Sequence, residues 1–302
     1  MAASSSPPAP SSPRVAIIGA TGQLGSDLVR AMEDRAPVGL SHADIEVTDG
    51  PCVLDRLAAI APDVVINCAA FHRVDECEVR PEEAFRVNAL GARNVALTCA
   101  RLGALAVYIS TDYVFGGEAG RPYVEGDPPR PINVYGASKL AGEHLVAAVA
   151  PRHLIVRVSS LFGVAGASGK GGSFVETMIR KARAGEAIRV VDDIVMSPTY
   201  TADAAAALRG LIAGGHTGIA HASNAGACSW FEFARAIFAL LGWEVDLQPQ
   251  RSADQPAAAR RPRYSALESS RLLALGLVQA PWEDALRRYL EAKGYLSARG
   301  EP

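Results

Sequence analysis

The 302-residue sequence predicts an α/β fold, in which a doubly wound parallel sheet is joined to a smaller C-terminal α/β domain. Short apolar runs rich in Val and Ile alternate with longer segments of helical periodicity, and a glycine-rich turn follows the first run. The alternation becomes looser after residue 158. Because strands that are apolar throughout are buried on both faces, they indicate a parallel sheet that helices cover on both sides.

The first half of the chain supplies the regular alternation. The run 14–19 ends in glycine, and the apolar residues of segment 23–33 then recur with the helical period, which predicts a strand, a turn and a helix. Further strands are expected at 37–40, 63–67, 105–110 and 153–158. Further helices are expected at 53–60, 81–102 and from 135 to about 148. We therefore assign residues 14–158 to one domain.

The second half, residues 159–302, is expected to form mainly the smaller domain, and we assign substrate recognition to it. Its predicted helices span 174–184, 202–213, 230–241 and 282–292, and its predicted strands span 188–191 and 218–222. Some segments within about 188–222 are expected to rejoin the main sheet.

Composition narrows the function classes. The formal net charge is -2 and the pI is about 6.3, so no overall field attracts nucleic acid or an anionic membrane. The 5 cysteines are scattered without zinc-site spacing and are interpreted as reduced thiols. Residues 1–13 have neither a basic start nor an apolar stretch, so we expect a disordered tail rather than a signal peptide or anchor. A cytoplasmic protein that acts on a small molecule is expected.

Gly19, Gly22 and Gly25 form a G-x-x-G-x-x-G turn between the first predicted strand and helix. Glycines there let backbone N–H groups approach a pyrophosphate, and the helix N-terminus adds a partial positive charge. Glycines also serve ordinary turns, but the position directly after an N-terminal strand favours dinucleotide binding. The turn therefore predicts that residues 14–158 are a Rossmann-type NAD(P)-binding domain.

The end of the second predicted strand favours NADPH over NADH. In NAD-selective folds an acidic residue about 20 positions after the first glycine holds the ribose 2′-hydroxyl. That count reaches Ser41 and His42, whereas Asp44 lies slightly further along. A 2′-phosphate would meet little repulsion there and could bind Ser41 or His42, although a lone histidine is often only a surface residue. We expect NADPH, with NADH allowed.

A phenol and an ammonium, Tyr135 and Lys139, lie four residues apart at the start of a predicted helix. Because positions i and i+4 share a helix face, Lys139 can stabilise the Tyr135 phenolate and lower its pKa from about 10.

Ser110 and Thr111 end a predicted strand, where ligands of open parallel sheets bind, so either hydroxyl could hydrogen-bond a substrate carbonyl. The alternative for Ser110 and Thr111 is that they cap the strand and lead into a turn. The alternative for Lys139 is that its side chain is solvated and has no role in the reaction.

Taken together, the motifs resemble those of the dTDP-4-dehydrorhamnose reductase family of extended short-chain dehydrogenase/reductases. They are G-x-x-G-Q-L-G from residue 19, N-C-A-A from 67, V-N from 87, S-T-D-Y-V-F from 110 and Y-G-A-S-K-L-A-G-E from 135. The last two are far more specific than the glycines. The resemblance covers residues 14 to about 290.

The resemblance implies that hydride from NADPH reduces the C4 keto group of a nucleotide-linked 4-keto-6-deoxy sugar, with dTDP-4-dehydro-L-rhamnose as the first candidate. Thr111 would polarise the carbonyl, Tyr135 would donate the proton, and Lys139 would hold the nicotinamide ribose and lower the Tyr135 pKa. The expected cofactor contacts, in addition to Tyr135 and Lys139, are Gly19, Thr21, Gly22, Gln23, Leu24, Gly25, Ser41, His42, Ala69, Ala70 and Asn88. The expected substrate contacts are Ser110, Asp112, His72, Ser160 and Arg261.

Three departures from the family pattern leave the exact sugar open. The family's R-T-S-W-V-Y-G reads R-V-S-S-L-F-G from residue 157, so an aromatic residue near the sugar nucleotide is lost. Its D-Q-x-G-x-P-T reads D-I-V-M-S-P-T from residue 193, and its A-A-Y-T reads A-A-F-H from residue 69. His72 could face the substrate or simply pack at a strand end. Arg261 could pair with diphosphate oxygens or belong to a solvated basic loop.

Other functions share parts of this pattern. Sugar-nucleotide dehydratases carry T-D-E where this chain has Tyr113 in the third position, so elimination is not expected. A catalytically silent NADP-binding regulatory subunit, such as the β subunit of methionine adenosyltransferase, and an epimerase or reductase of another nucleotide sugar stay open. No metal is predicted, because the single carboxylate of Asp27, at a place where some relatives bind magnesium, cannot define an octahedral site. A homodimer is allowed.

Overall fold

The structure is a computed structural model that describes residues 13–165, 173–254 and 257–296. The strands are β1 (Val15–Ile18), β2 (Val38–Leu40), β3 (Val64–Asn67), β4 (Leu105–Thr111), β5 (His153–Val158), β6 (Leu161–Phe162), β7 (Ile188–Val191), β8 (Val195–Met196), β9 (Thr199–Tyr200), β10 (Gly218–His221), β11 (Cys228–Ser229) and β12 (Leu247–Gln250). The helices are α1 (Gln23–Ala31), α2 (Gly50–Ile60), α3 (Val74–Val79), α4 (Pro81–Phe85), α5 (Ala92–Leu102), α6 (Val134–Val149), α7 (Phe174–Arg183), α8 (Thr201–Ala213), α9 (Trp230–Leu241), α10 (Ser270–Ala274) and α11 (Trp282–Ala292). The predicted tail lies outside the described residues, except for Pro13.

Six strands form one parallel sheet in the order β10-β5-β4-β3-β1-β2. Every residue of β1, β3 and β4 is buried. Val15 and Ile17 pack with α1 and α8 on one face, whereas Ala16 and Ile18 pack with α2 and α5 on the other. Burial on both faces is why these strands show no polar alternation, and the predicted doubly wound parallel sheet is confirmed.

The chain changes direction across the sheet between β1 and β3. From β1 it moves to β2 on one side, and from β2 it crosses to β3 on the other. The loops that follow β1 and β3 therefore diverge and leave a crevice at the carboxyl ends of the strands, where such sheets bind ligands.

The segment predicted as one helix, 81–102, is divided in the structure. Helix α4 passes into a π-helical turn, Arg86–Gly91, which continues as α5. In this wider turn the carbonyl of Asn88 accepts a hydrogen bond from the phenol of Tyr108 at 2.7 Å. This contact with β4 is tertiary, so the helical periodicity of the sequence does not reveal it.

The second half of the chain has its own apolar cluster, which includes Phe162, Phe233 and Tyr289. Its short strands pair as β7 with β12, β8 with β11 and β6 with β9. Of the strands within about 188–222, β10 joins the main sheet by pairing with β5, whereas β7 pairs with β12 because Ile188 and Val190 pack into the second cluster. None of the described helices is both long enough and apolar enough to cross a membrane.

Candidate active site

A cavity of about 770 Å³ lies at the carboxyl edge of the main sheet. It brings together most of the residues expected to bind cofactor or substrate: Gly19, Thr21, Gly22, Gln23, Leu24, Gly25, Ser41, His42, Ala69, Ala70, His72, Ser110, Thr111, Asp112, Tyr135, Lys139 and Ser160. Asn88 and Arg261 are not among its lining residues. The crevice expected from the strand order is thus the place where the sequence motifs meet.

The turn between β1 and α1 has the geometry of an anion-binding turn. Gly19 has φ 79°, in the left-handed region that favours glycine. A Cβ atom on Gly25 would lie 2.1 Å from the carbonyl oxygen of Gly19, so the helix can approach the turn this closely only with glycine there. The first turn of α1 carries no acidic residue, and its N-terminal residues Gln23 and Leu24 line the cavity. Its N–H groups and partial positive charge can therefore serve a pyrophosphate.

The end of β2 differs from its sequence-based interpretation. The tight turn after β2 brings Asp44 back onto Ser41, whose backbone N–H and hydroxyl both donate to the carboxylate, at 2.8 and 2.6 Å. These two bonds lower the pKa of Asp44. Ser41 therefore offers fewer free donors than expected, and a negative charge lies close to it. His42 is exposed, with its ring 3.8 Å from Glu46.

Tyr135 and Thr111 both line the cavity, and their hydroxyl groups lie within hydrogen-bonding reach of each other. Asn133 caps α6 by accepting a hydrogen bond from the Gly136 N–H at 2.7 Å, which fixes Tyr135 in the first turn. Burial raises the pKa of Tyr135, and hydrogen bonding from Thr111 only partly opposes this. The expected lowering of that pKa by Lys139 is therefore not found in this structure, because loss of water around the phenol has the larger effect. A neutral phenol is the form that can donate a proton.

Lys139 lines the cavity, but its ammonium bonds to a backbone carbonyl and not to Tyr135. Its ammonium donates to the carbonyl of Ile109 at 2.6 Å and lies 4.1 Å from the centre of the Tyr108 ring. Burial lowers the pKa of Lys139 to about 7, although the nearby Glu143 opposes the shift. Near neutral pH this side chain is therefore close to the midpoint of its titration.

Ser110 is committed to a buried network rather than free for a substrate. Its hydroxyl donates to Glu143 at 2.5 Å. Glu143 in turn accepts two bonds from Arg157, at 2.9 and 2.7 Å, and both side chains are almost wholly buried. The structure therefore does not support the expected substrate contact by the Ser110 hydroxyl, since its proton already has a charged acceptor.

Asp112 is buried and accepts three hydrogen bonds. They come from Thr111 at 3.0 Å, Ser159 at 3.0 Å and Ser265 at 2.6 Å. Burial nevertheless raises the pKa of Asp112 to about 6. The carboxyl group thus joins the ends of β4 and β5 to a C-terminal segment, and its contacts are with protein hydroxyls.

Three further expected residues have distinct positions. Asn88 is fully buried and binds both the N–H and the carbonyl of Phe71, at 2.8 and 3.0 Å, so it shapes the loop after β3 from behind the cavity. His72 lines the cavity, with Nδ1 3.3 Å from the carbonyl oxygen of Ala70. Ser160 also lines it and has φ 43°, which is unusual for a residue other than glycine. Such backbone conformations occur often at functional sites.

A second cavity, of about 740 Å³, adjoins the first, and Phe174 and Trp230 line both. Arg261 belongs to this second cavity, where it binds the carboxylate of Asp75 at 2.6 Å. Basic residues outnumber acidic ones among its described lining residues: Lys181, Arg189, Arg260, Arg261 and Arg263 against Asp75 and Glu118. The sequence interpretation missed Phe174 and Trp230, because each begins a helix that only tertiary packing turns toward the first domain.

Within the part of the chain that the structure describes, no three His, Cys, Asp or Glu side chains come together in a way that could hold a metal ion. Asp27, the carboxylate considered for magnesium, accepts hydrogen bonds from Thr201 at 2.5 Å and Arg30 at 2.7 Å. It is 3% exposed, so it serves a contact between α1 and α8.

Comparison with known proteins agrees with this site. A family model described as the RmlD substrate binding domain matches residues 13–294. The dTDP-4-dehydrorhamnose reductase of Mycolicibacterium smegmatis is 41% identical over 280 residues, which cover 91% of this chain and 84% of that protein. The spore coat polysaccharide biosynthesis protein SpsK of Bacillus subtilis is 38% identical over 283 residues, 93% of this chain and 98% of that protein.

A solved structure extends the likeness to the whole fold. The dTDP-4-dehydrorhamnose reductase of Bacillus anthracis, in complex with NADP, superposes with a TM-score of 0.88 at 41% identity. The match covers 93% of this chain and 99% of that one. The resemblance read from the motifs is confirmed, and the chain belongs to the RmlD family.

Proposed function

We propose that this protein reduces the C4 keto group of a nucleotide-activated 6-deoxy-4-ketohexose with NADPH. The first candidate reaction converts dTDP-4-dehydro-L-rhamnose to dTDP-L-rhamnose. One observation carries the proposal: Thr111, Tyr135 and Lys139 line the same cavity as the glycine turn at the N-terminus of α1. A proton donor, a carbonyl-polarising hydroxyl and a pyrophosphate turn are the parts that such a reduction needs.

The cofactor proposal has two sources of support. The Bacillus anthracis relative binds NADP, and the turn after β1 has the close backbone approach that a dinucleotide requires. The Asp44 carboxylate, which accepts a hydrogen bond from Ser41, weakens the preference for NADPH over NADH. A carboxylate near the adenosine ribose favours a 2′-hydroxyl over a 2′-phosphate. We therefore keep NADH as a second cofactor.

Each of the three reacting side chains, Tyr135, Thr111 and Lys139, has a separate role in the proposed reduction. When bound, the dinucleotide supplies the hydride for the substrate C4 atom. Tyr135 supplies the proton to the carbonyl oxygen, and its raised pKa keeps that proton in place until charge develops on the oxygen. Thr111 donates a hydrogen bond to the same oxygen, and Lys139 is close enough to the cavity to hold a ribose hydroxyl. Such donors act most strongly where water is excluded.

The second cavity supports a nucleotide-linked substrate. Its excess of basic side chains suits a diphosphate, and the paired rings of Phe174 and Trp230, with centroids 4.7 Å apart, offer an apolar surface to a base or sugar. Two alternatives stay open. An epimerase or reductase of another nucleotide sugar fits the altered pocket at Ser160, whereas a silent regulatory subunit fits less well because the three reacting groups are retained. Cytoplasmic location and a homodimer stay predictions.

The test is NADPH oxidation with enzymatically made dTDP-4-dehydrorhamnose, compared between the native protein and Tyr135→Phe. Loss of the phenolic proton should lower kcat by about 10²–10⁴-fold, the usual contribution of a general acid. Tyr295→Phe is the control, since that phenol binds Glu176 away from the cavity. NADPH binding should persist in both variants. Turnover that survives in Tyr135→Phe would contradict the proposed donor, and binding without turnover in the native protein would favour the regulatory alternative.

A further inference from the structure

The Lys139 ammonium lies where few groups can replace water. The side chain is 2% exposed, and Nζ donates a hydrogen bond to the carbonyl of Ile109 at 2.6 Å. An ammonium carries three N–H donors. One of the other two can serve the cavity that Lys139 lines, where the proposed ribose would lie. The remaining donor needs a partner inside the protein, because a buried charge is costly unless its surroundings compensate it.

The face of the Tyr108 ring supplies that partner. Nζ lies 4.1 Å from the centre of the ring, well inside the roughly 6 Å over which an aromatic face attracts a cation. Tyr108 is 1% exposed, so the ring and the charge meet where water does not weaken their attraction. The carbonyl of Ile109 and the ring of Tyr108 belong to adjacent residues of β4. This strand therefore holds the ammonium from two directions.

The Tyr108 ring is itself fixed at its far end. Its hydroxyl donates to the carbonyl of Asn88 in the π-helical turn at 2.7 Å. The side chain of Asn88 donates in turn to the hydroxyl of Ser138, the residue before Lys139 on α6, at 2.9 Å. Strand β4, the π-helical turn and α6 are thus joined around the ammonium. Turns of this kind occur often at functional sites, and here the turn supplies the acceptor that fixes the ring.

We propose that Tyr108 is a positioning residue for Lys139. Its ring keeps the side chain in the ammonium form and directs one N–H into the cavity, while its hydroxyl holds the ring against the π-helical turn. Tyr108 is not among the lining residues of the cavity, so it acts through Lys139. The inference rests on the proposed reductase function, in which that N–H holds a ribose hydroxyl.

The other titratable groups around the ammonium and the ring do not replace this contact. Among the described residues they are Cys68 in the loop after β3, and Tyr135 and Glu143 on α6. Burial raises the pKa of Cys68 to about 12 and also raises the pKa of Tyr135, so both groups are uncharged near neutral pH. Glu143 favours the ammonium, but its carboxylate also accepts two hydrogen bonds from Arg157. The attraction of Glu143 is therefore shared between two cations.

Two substitutions separate the ring of Tyr108 from its hydroxyl. Tyr108→Phe keeps the aromatic face and loses the hydrogen bond to Asn88, so the pKa of Lys139 should stay close to its native value while the melting temperature falls by a few degrees. Tyr108→Met fills much of the same space without an aromatic face. Because the ring stabilises the charged form, Tyr108→Met should lower the Lys139 pKa below its native value of about 7, by about half a unit or more.

This titration can be measured without turnover. The lysines of the chain are at positions 139, 170, 181 and 293, so NMR of protein that is isotope-labelled at the lysine ε-carbon gives few signals. Lys139→Arg identifies the signal of Lys139. Val107→Ala is the matched control for lost packing, because Val107 is also 1% exposed, precedes Tyr108 in β4 and packs on the opposite face of the sheet. The Lys139 titration should match the native one in Val107→Ala.

Cofactor binding and turnover give a second readout. Above the pKa of Lys139, NADPH binding followed by its fluorescence should weaken by up to about threefold in Tyr108→Met, the factor that half a pKa unit represents. It should change less in Tyr108→Phe. The alkaline loss of kcat should move to lower pH in Tyr108→Met by the same amount as the Lys139 pKa. If Tyr108→Met does not fold, Tyr108→Leu removes the aromatic face instead.

The outcomes separate this inference from the proposed function. A Lys139 pKa that stays the same or rises when the ring is removed would overturn the inference. So would a pKa that falls equally in Tyr108→Met, Tyr108→Phe and Val107→Ala, since loss of packing alone would then explain the change. The expected titrations in a native protein without NADPH turnover would count against the reductase function and leave the contact between Tyr108 and Lys139 supported.

Discussion

Trp230, together with Phe174, lies where the two cavities meet. Its ring packs against that of Phe174, and both side chains are half-buried. The family pattern expects a tryptophan where this chain has Ser160, which lines the reacting cavity. Trp230 supplies aromatic surface to the same cavity from a different part of the chain, so the stacking area expected from the family can be present without that tryptophan.

Trp230 should therefore report nucleotide binding. We expect dTDP to change the intrinsic fluorescence of the native protein, and Trp230→Phe to lose most of that change. Trp230→Ala should weaken dTDP binding by up to about tenfold, the value of an aromatic pair. Trp243→Phe is the matched control, because Trp243 packs near Arg183 outside both cavities. A response that follows Trp243 instead would contradict a nucleotide site at the second cavity.

At the same scale, the sequence predicts where reacting groups are and not how they titrate. The spacing of Tyr135 and Lys139 follows from helix geometry, and both line one cavity. The pKa of Tyr135 is raised, contrary to expectation, since burial by distant elements outweighs local neighbours. The commitment of Ser110 to Glu143 likewise depends on the contact of β4 with α6, which spacing cannot show.

At the scale of elements, Gly142 allows α6 to lie close to the sheet. A Cβ atom there would lie 2.3 Å from the Asn88 carbonyl oxygen and 2.4 Å from the Tyr108 hydroxyl. The same close approach lets the Lys139 ammonium lie over the Tyr108 ring. The position of α6, and thus of the reacting pair, depends on a glycine one turn beyond it.

Gly142→Ala should therefore destabilise the protein. Overpacking against backbone and a buried phenol should cost about 1–3 kcal/mol of unfolding free energy, even though Ala is a better helix former by about 1 kcal/mol. Urea unfolding measures the difference. Gly126→Ala is the control, because a Cβ atom at Gly126 meets nothing within 4 Å. Equal midpoints for the two variants would show that α6 can shift without cost.

The sequence predicts the bounds of a helix or strand correctly where the apolar pattern continues from one end of the element to the other. The ranges of β5, α9 and α11 agree with the sequence pattern, because β5 is buried on both faces of the sheet and the apolar residues of α9 and α11 all face the second cluster. The single helix predicted at 81–102 is wrong, since the π-helical turn Arg86–Gly91 interrupts it. Periodicity does not reveal such a turn, because the contact of Asn88 with β4 is long-range.

At the scale of the whole molecule, the two halves of the sequence share one core. Helix α8 lies in the second half of the chain, yet its apolar residues Ala204, Leu208 and Leu211 pack with Leu24 and Leu28 of α1. Strand β10 also completes the edge of the main sheet beside β5. The domain boundary that the sequence analysis places at residue 158 therefore separates α8 and β10 from the core and sheet to which they belong.

Leu208→Ala should consequently weaken both halves together. Leu208 is 0% exposed, so the substitution should cost about 2–5 kcal/mol of unfolding free energy. All 3 tryptophans lie at or after residue 230, so fluorescence reports the second half, while hydrogen exchange of β1 and β3 amides reports the sheet. Leu273→Ala is the control, at 64% exposure. A loss seen by exchange alone would mean that the halves unfold independently.

The sequence by itself determined the fold class, the parallel sheet, the turn at Gly19 and the reacting pair on α6, because each depends on local periodicity or fixed spacing. Only the tertiary structure decided that Trp230 and Phe174 join the site, that Ser110 binds Glu143, and that Ser265 binds Asp112. Those features depend on which distant segments pack together and exclude water, and burial of that kind changes pKa values and hydrogen-bond partners in ways that spacing along a chain does not encode.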